Sequence, residues 1–354
     1  MFCNAEQILS EGINEKAFPS AAYAVGCKNE VFLKGVLGNR QEFPTKIKAD
    51  IDTLYDVASL TKVVCTTMIA LKFIESGKLL LTDTLDKYYD MTDAPDGRAG
   101  VTVKQLMTHT SGITPHIALS KYAADPRGKN EVIIKSEPVC RPGEQVYYSC
   151  MGYMLLADIL EKISDKSLDE LACEYVFVPL KMERSGFNPN EENVAATEFS
   201  SVRNTYIKGK VHDENAYFLG GVSGNAGLFS CVSDMINYAR MISCRGVFEG
   251  KQYISSRMFD IAVHNFTSGK AEARGLGFQL CAEDITFPGG DLFSVGSYGH
   301  TGFTGTSVFA DNETGLWILL LTNAVHYGRD KAKYFCYRRK FHNAVVSEFF
   351  KKHY

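Results

Sequence analysis

DVASLTKVVCTTMIALKFI, residues 56–74, is the stretch on which the fold turns. Between Asp56 and Lys72 the only charge is Lys62, and the flanking Val57, Leu60, Val63, Val64, Met68, Ile69, Leu71 and Phe73 are apolar, with no Gly or Pro. Such a run predicts a helix buried nearly all round, with Ser59 near its start. At i and i+3, Ser59 and Lys62 share a helix face. Burial disfavours an ammonium, so the Lys62 pKa is expected to fall and the amine to accept the serine proton. A helix N-terminus also presents free N–H groups where an oxyanion would form. An activated serine nucleophile is one reading. S-x-x-K also arises by chance roughly once in a chain of this length, and a lysine near a helix start can snorkel to water. Both stay open on this stretch alone.

Moving outward, the 354 residues hold 45% apolar and 22% charged side chains with a net charge of −3, ordinary for a globular chain of one large or two smaller domains. The charge balance gives no reason to expect nucleic acid or an anionic membrane as partner. Residues 1–18 lack an apolar core of signal-peptide length, and no run of 18 apolar residues exists. The ten cysteines are scattered without a C-x-x-C pair. Free thiols in a cytoplasmic protein, without a zinc site, are therefore expected.

Residues 4–17 predict a helix, and 20–40 two strands about a turn at Lys28-Asn29-Glu30. Gly77 should end the Ser59 helix. A short helix over 101–113 broken at Gly112, a loop over 114–140 and an amphipathic helix from Gly152 to Ile163 follow. LGGVSGNAGLFS, from Leu219, packs four glycines into nine residues before a helix expected to be capped by Ser233. Beyond about residue 245 strands are expected in RGLGFQLCAE, DLFSVGSYGH and TSVFADNETGLWILLLTN, the last a hairpin turning at Asn312-Glu313-Thr314-Gly315. A closing helix carries Phe341, Val345 and Phe349. Both chain ends thus supply one antiparallel sheet flanked by helices, with an all-helical insertion between them. Residues 1–58 and 245–354 are expected to form the sheet domain, and 59–244 a mainly helical domain carrying the nucleophile at its start. A cleft belongs where they meet.

Other candidates lie at that junction. Tyr148, in Tyr147-Tyr148-Ser149-Cys150 ahead of a helix, could aim its phenol at the serine as acid or base, or simply bury its ring. His300-Thr301-Gly302-Phe303 lies between strands, where glycine admits a close backbone approach, or forms a plain glycine-rich hairpin. His212-Asp213-Glu214 lacks a second ligand cluster and suits a polar loop better than a metal.

S-x-x-K, Y-S-x and [KH]-T-G in this order resemble the penicillin-recognising serine hydrolases: class C β-lactamases, D,D-peptidases and related esterases. DTLYDVASLTKV, QLMTHTSGI, PGEQVYYSCMGYMLLADILEKI, VHDENAYFLGGVSGNAGLFS and YGHTGFTGTSVFAD carry the resemblance, from about residue 20 to 325. It implies an α+β, β-lactamase/transpeptidase-like fold, with Ser59 acylated and Lys62 and Tyr148 as the base pair. His300, Thr301 and Gly302 would line the site, the N–H groups of Ser59 and Phe303 would form the oxyanion hole, and no metal or cofactor would be needed. Two positions depart from the pattern. Cys150 stands where the family has an asparagine that holds substrate amides, and a thiol replaces it poorly. His300 stands where many members have lysine, and would hold a substrate carboxylate only in part near neutral pH. The expectation is a serine hydrolase of small esters, amides or peptides with weak action on β-lactams. A penicillin-binding sensor that acylates without efficient turnover is the alternative. Oligomeric state is not legible.

Overall fold

The computed structural model describes residues 2–190, 192–201 and 204–353. Its centre is an antiparallel sheet of seven strands: β1 (Ser20–Cys27), β2 (Glu30–Gln41), β3 (Ile47–Lys48), β4 (Gln279–Leu280), β5 (Tyr298–Gly302), β6 (Thr306–Ala310) and β7 (Leu316–Thr322). The spatial order β4-β5-β6-β7-β1-β2-β3 puts the first strand beside the last, with Ala21 paired to Thr322 and Cys27 to Leu316. The sheet assembled from both chain ends is the one expected. Leu316–Thr322 is buried throughout because both faces are covered. Trp317, Leu319 and Leu321 join one core with Val308, Ala22 and Ala24, while Leu316, Ile318 and Leu320 join another with Tyr23, Val25 and Phe309. The alternation is that of side chains along a strand.

Two terminal helices, α1 (Cys3–Asn14) and α10 (Ala332–His353), cover the second face, through Leu9 from α1 and Phe341, Val345 and Phe349 from α10. The first face meets the larger core, built from α2 (Thr67–Glu75), α3 (Val103–Met107), α4 (Lys129–Ile134), α5 (Cys150–Ser164), α6 (Leu168–Ala172), α8 (Val232–Ser243) and α9 (Ser256–Ala262), with α7 (Glu214–Phe218) packed against it through Phe218. Among the described residues no helix is long and apolar enough to cross a membrane.

Several elements differ from the sequence reading. The first helix stops at Asn14, and the short one spans only Val103–Met107, opened by a Thr102–Gln105 capping box. The expected loop 114–140 contains α4. Ser233 lies inside α8, whose N-cap is Cys231 with no side-chain bond, so that cap is corrected. The strand expected over RGLGFQLCAE shrinks to Gln279–Leu280: Gly277 has φ +85° and donates its N–H to Met107 O instead of to a sheet neighbour. Helix α9 lies where strands were expected, started by Ser255, whose hydroxyl accepts from Met258 N. Gly77 does end α2, at φ +71°, with its N–H on Ile74 O.

Candidate active site

The turn before α2 is built to expose one side chain. The short strand Tyr55–Asp56 runs into Ala58, a non-glycine residue at φ +48°. This strained backbone is held by the buried Asp56 carboxylate, which accepts from Ala58 N at 2.8 Å and from His212 N at 2.7 Å. Burial raises the Asp56 pKa, against those two hydrogen bonds. Thr61 Oγ closes the turn on Ala58 O at 2.6 Å. The helix then opens as a π-turn over Lys62–Thr66, closed by Thr67 N on Lys62 O, before settling into α2. Ser59 is left half-exposed between buried neighbours.

Lys62 is fully buried. Its Nζ donates to Ser59 Oγ at 3.2 Å and to Asn225 O at 2.9 Å, and approaches Cys150 Sγ at 3.6 Å. The glycine run from Leu219 gains a purpose here. Gly224 packs on the Tyr153 backbone, and its carbonyl takes Thr66 Oγ at 2.8 Å, which brings the Asn225 carbonyl to the amine. Tyr148 lies alongside, with its ring centre 4.8 Å from Lys62 Nζ. Its hydroxyl is shut off from solvent and, among the described residues, makes no well-formed hydrogen bond, although Lys62 and Ser59 lie near enough to draw its pKa down in part.

The charge state of Lys62 differs from expectation. Burial lowers its pKa, but the Cys150 and Tyr148 side chains beside it favour the charge enough to outweigh burial, and the amine lies above the ordinary lysine value. The sequence reading named both residues for the site but not their effect on the charge of the amine. Burial likewise raises the Tyr148 phenol, against the pull of Lys62. Near neutral pH the pair therefore holds an ammonium and an uncharged phenol.

Strand β5 borders the same space. Thr304 Oγ donates to Asp56 O at 2.6 Å and Thr306 Oγ to Val57 O at 2.9 Å, fastening the sheet edge to the serine turn. Gly302 packs directly on the Val57 carbonyl. Among the described residues, no backbone acceptor is bonded by the N–H of Ser59 or of Phe303. Phe303 is exposed and stacks on His212, and Lys331 Nζ donates to its carbonyl at 2.6 Å. His300 is buried and directs Nδ1–H at Thr301 O, 2.7 Å away, while Thr301 is partly exposed. Burial, then Arg274 and Lys62, push the His300 pKa well below the usual histidine value. The imidazole is thus neutral, which corrects the expectation of partial charge.

Two residues that the sequence did not single out belong here. Arg274 is buried with its guanidinium carbon 5.4 Å from the Tyr148 ring centre. His109 is buried 4.5 Å from the same ring. His109 lies within the QLMTHTSGI stretch but no spacing ties it to Tyr148, and no local pattern marks Arg274; both reach the site through tertiary packing. Cys150, expected only as a poor substitute for asparagine, starts α5 beside Lys62 and donates its N–H to Pro115 O at 3.1 Å. A cavity of about 1110 Å³, lined by His116, Tyr122, Arg127 and Glu131 among others, opens in the 114–140 segment. Ser59 is not part of its lining. His212, Asp213 and Glu214 serve three separate purposes: bonding Asp56, capping α7 and pairing with Arg329. Among the described residues no set of three His, Cys, Asp or Glu side chains gathers as metal ligands would.

A family model described as beta-lactamase matches residues 5–339. The chain belongs to the β-lactamase family. It is similar to an Escherichia coli (strain K12) protein provisionally named D-alanyl-D-alanine carboxypeptidase, 30% identical over 349 residues spanning 87% of this chain and 79% of that one. It is also similar to the N-acetylmuramyl-L-alanine amidase of Bacillus subtilis (strain 168), 29% identical over 350 residues spanning 87% and 78%. Among solved structures, the octameric penicillin-binding protein homologue from Pyrococcus abyssi superposes with TM-score 0.76 at 22% identity, covering 98% of this chain and 77% of that one. Simvastatin synthase (LovD) from Aspergillus terreus gives 0.77 at 18% identity, covering 98% of each. At those identities the likeness concerns the fold. As a β-lactamase-family protein, this chain is a serine hydrolase in general type.

Proposed function

We propose that this β-lactamase-family protein hydrolyses small esters, amides or peptides through an acyl-enzyme on Ser59. The observation that carries this reading is the contact of Lys62 Nζ with Ser59 Oγ at 3.2 Å, held from behind by Asn225 O. Once the Lys62–Tyr148 pair has lost one proton, it accepts the Ser59 proton as Oγ attacks the substrate carbonyl carbon. The N–H groups of Ser59 and Phe303 receive the oxyanion. Tyr148 returns the proton to the leaving group, and water releases the acid and regenerates Ser59. His300, Thr301 and Gly302 line the sheet side, and Cys150 the helical side.

Substrates without a carboxylate beside His300 suit the neutral imidazole, and Cys150 offers a weak grip on an amide. Esters are therefore favoured over β-lactams, which should acylate slowly. The test is hydrolysis of p-nitrophenyl acetate by wild type and Ser59→Ala, with penicillin added to each and the mass of the intact protein read. Serine-dependent turnover supports the proposal. A stable penicillin adduct without turnover would favour the sensor reading, and equal background rates with no adduct would refute both.

A further inference from the structure

Among the described residues the Tyr148 hydroxyl makes no well-formed hydrogen bond, although Ser59 and Lys62 lie near it, so the phenol end alone does not hold its aim. What fixes it lies behind the ring, at His109. This residue follows α3 in the left-handed conformation, φ +57°, which histidine tolerates better than most side chains. Its carbonyl accepts from Tyr147 N at 2.9 Å and its Nδ1 from Ser149 N at 3.0 Å. Both chain neighbours of Tyr148 thus hang on one residue. The imidazole centre lies 4.5 Å from the Tyr148 ring, tilted by 41°, and 5.2 Å from the Tyr153 ring. Tyr153 is itself anchored, its hydroxyl 3.2 Å from Thr67 Oγ and 3.4 Å from Met107 O. The chain of support runs from α2 and α3 through Tyr153 and His109 to the phenol.

The protonation state of His109 follows from the same bonds. Nδ1 accepts, so the single ring proton is on Nε2, which is buried and, among the described residues, unpartnered. A second proton would have to displace the Ser149 N–H. Burial, then the positive charges of Arg274 and Lys62 and the nearby His300, oppose it further. We propose that His109, as an uncharged imidazole, is the positioning residue that aims the Tyr148 phenol at Ser59 and Lys62. The inference rests on the hydrolase reading above and adds a residue that touches no reacting atom.

The test compares wild type, His109→Ala and His109→Asn. Asparagine tolerates positive φ and offers a carboxamide oxygen for the Ser149 N–H. With p-nitrophenyl acetate, His109→Ala should lose ~100-fold in kcat, the scale of a 1 Å misplacement, with KM within about twofold. His109→Asn should recover at least about tenfold of that loss. Wild-type kcat in His109→Ala, a loss confined to KM, or equal kcat losses in both variants would overturn the proposal. If the wild type itself turns over no ester, the hydrolase reading fails and a phenol titration decides this one. Subtracting the ultraviolet titration of Tyr148→Phe isolates Tyr148, and in His109→Ala its ionisation should move to lower pH as water reaches the ring. An unchanged titration would overturn the proposal.

Discussion

Replacing Gly302 by alanine tests the join between the sheet and the serine turn. A Cβ at this position would overlap the Val57 carbonyl oxygen and Thr306 Oγ, about 1 Å or more inside ordinary contact distance. Neither neighbour can yield easily, because Thr306 Oγ already donates to Val57 O at 2.9 Å and Val57 N is bonded to Leu228 O. The end of β5 must therefore back away by roughly 1 Å, taking the Phe303 N–H with it, and misplacement on that scale costs about 100-fold in rate. Loss of one oxyanion donor carries a similar penalty, on the order of 10²–10³ in kcat. We expect kcat on p-nitrophenyl acetate to fall about 100-fold, near 2.7 kcal/mol of barrier, with the far-ultraviolet circular dichroism of the folded protein retained. A folded Gly302→Ala enzyme with kcat within about threefold of wild type would refute the oxyanion assignment.

Other expectations follow from the same geometry. Lys62→Ala and Tyr148→Phe should each lower kcat by roughly 10²–10⁴ on the same ester, the range of a lost proton-transfer partner, and near-wild-type rates would remove that residue from the mechanism. Lys62 and Tyr148 both titrate above their ordinary values, so the resting pair holds one proton too many to act as base. kcat/KM should accordingly rise with pH above neutrality, and a profile falling there would contradict the assignment. His342 is fully buried and pushed down to about 3, by burial first and then by Arg338. Its folded pKa lies below the unfolded value of about 6.5, so stability present above that pH is lost as pH falls toward the folded value, about 2 kcal/mol by pH 5. His342→Gln should shrink the drop in Tm between pH 7 and pH 5, and an unchanged drop would refute this origin.

The parts of the fold legible in sequence were those with long apolar periods or strong turn residues. The Leu316–Leu321 run, the hairpin at residues 312–315 and the Ser59 helix need only local pattern to declare themselves. Short pieces escaped. Helix α9 shows too few turns for a period, and the residues around Gly277 look strand-like until the Gly277 N–H is traced to α3 and that of Leu276 to α9. Ser59 and Lys62 could be paired because helical spacing alone brings them together. His109 and Arg274 could not, since each reaches Tyr148 from a segment distant in sequence. The Lys62 charge escapes for a related reason: burial is readable from a run of valines and isoleucines, and Tyr148 and Cys150 could be named for the site, but how closely a thiol and a phenol fold against the amine could not.

The pairing of Ala21 with Thr322 has a consequence during synthesis. A chain leaving the ribosome displays Ser59 and Lys62 early, yet the threonines that clamp the serine turn, Thr304 and Thr306, come some 240 residues afterwards. Strand β1 likewise waits for β7, and contacts so distant along the chain form late. On this reading the proposed nucleophile lacks its clamp through most of translation, and the Ser59 turn is fastened only when the last strands close over it.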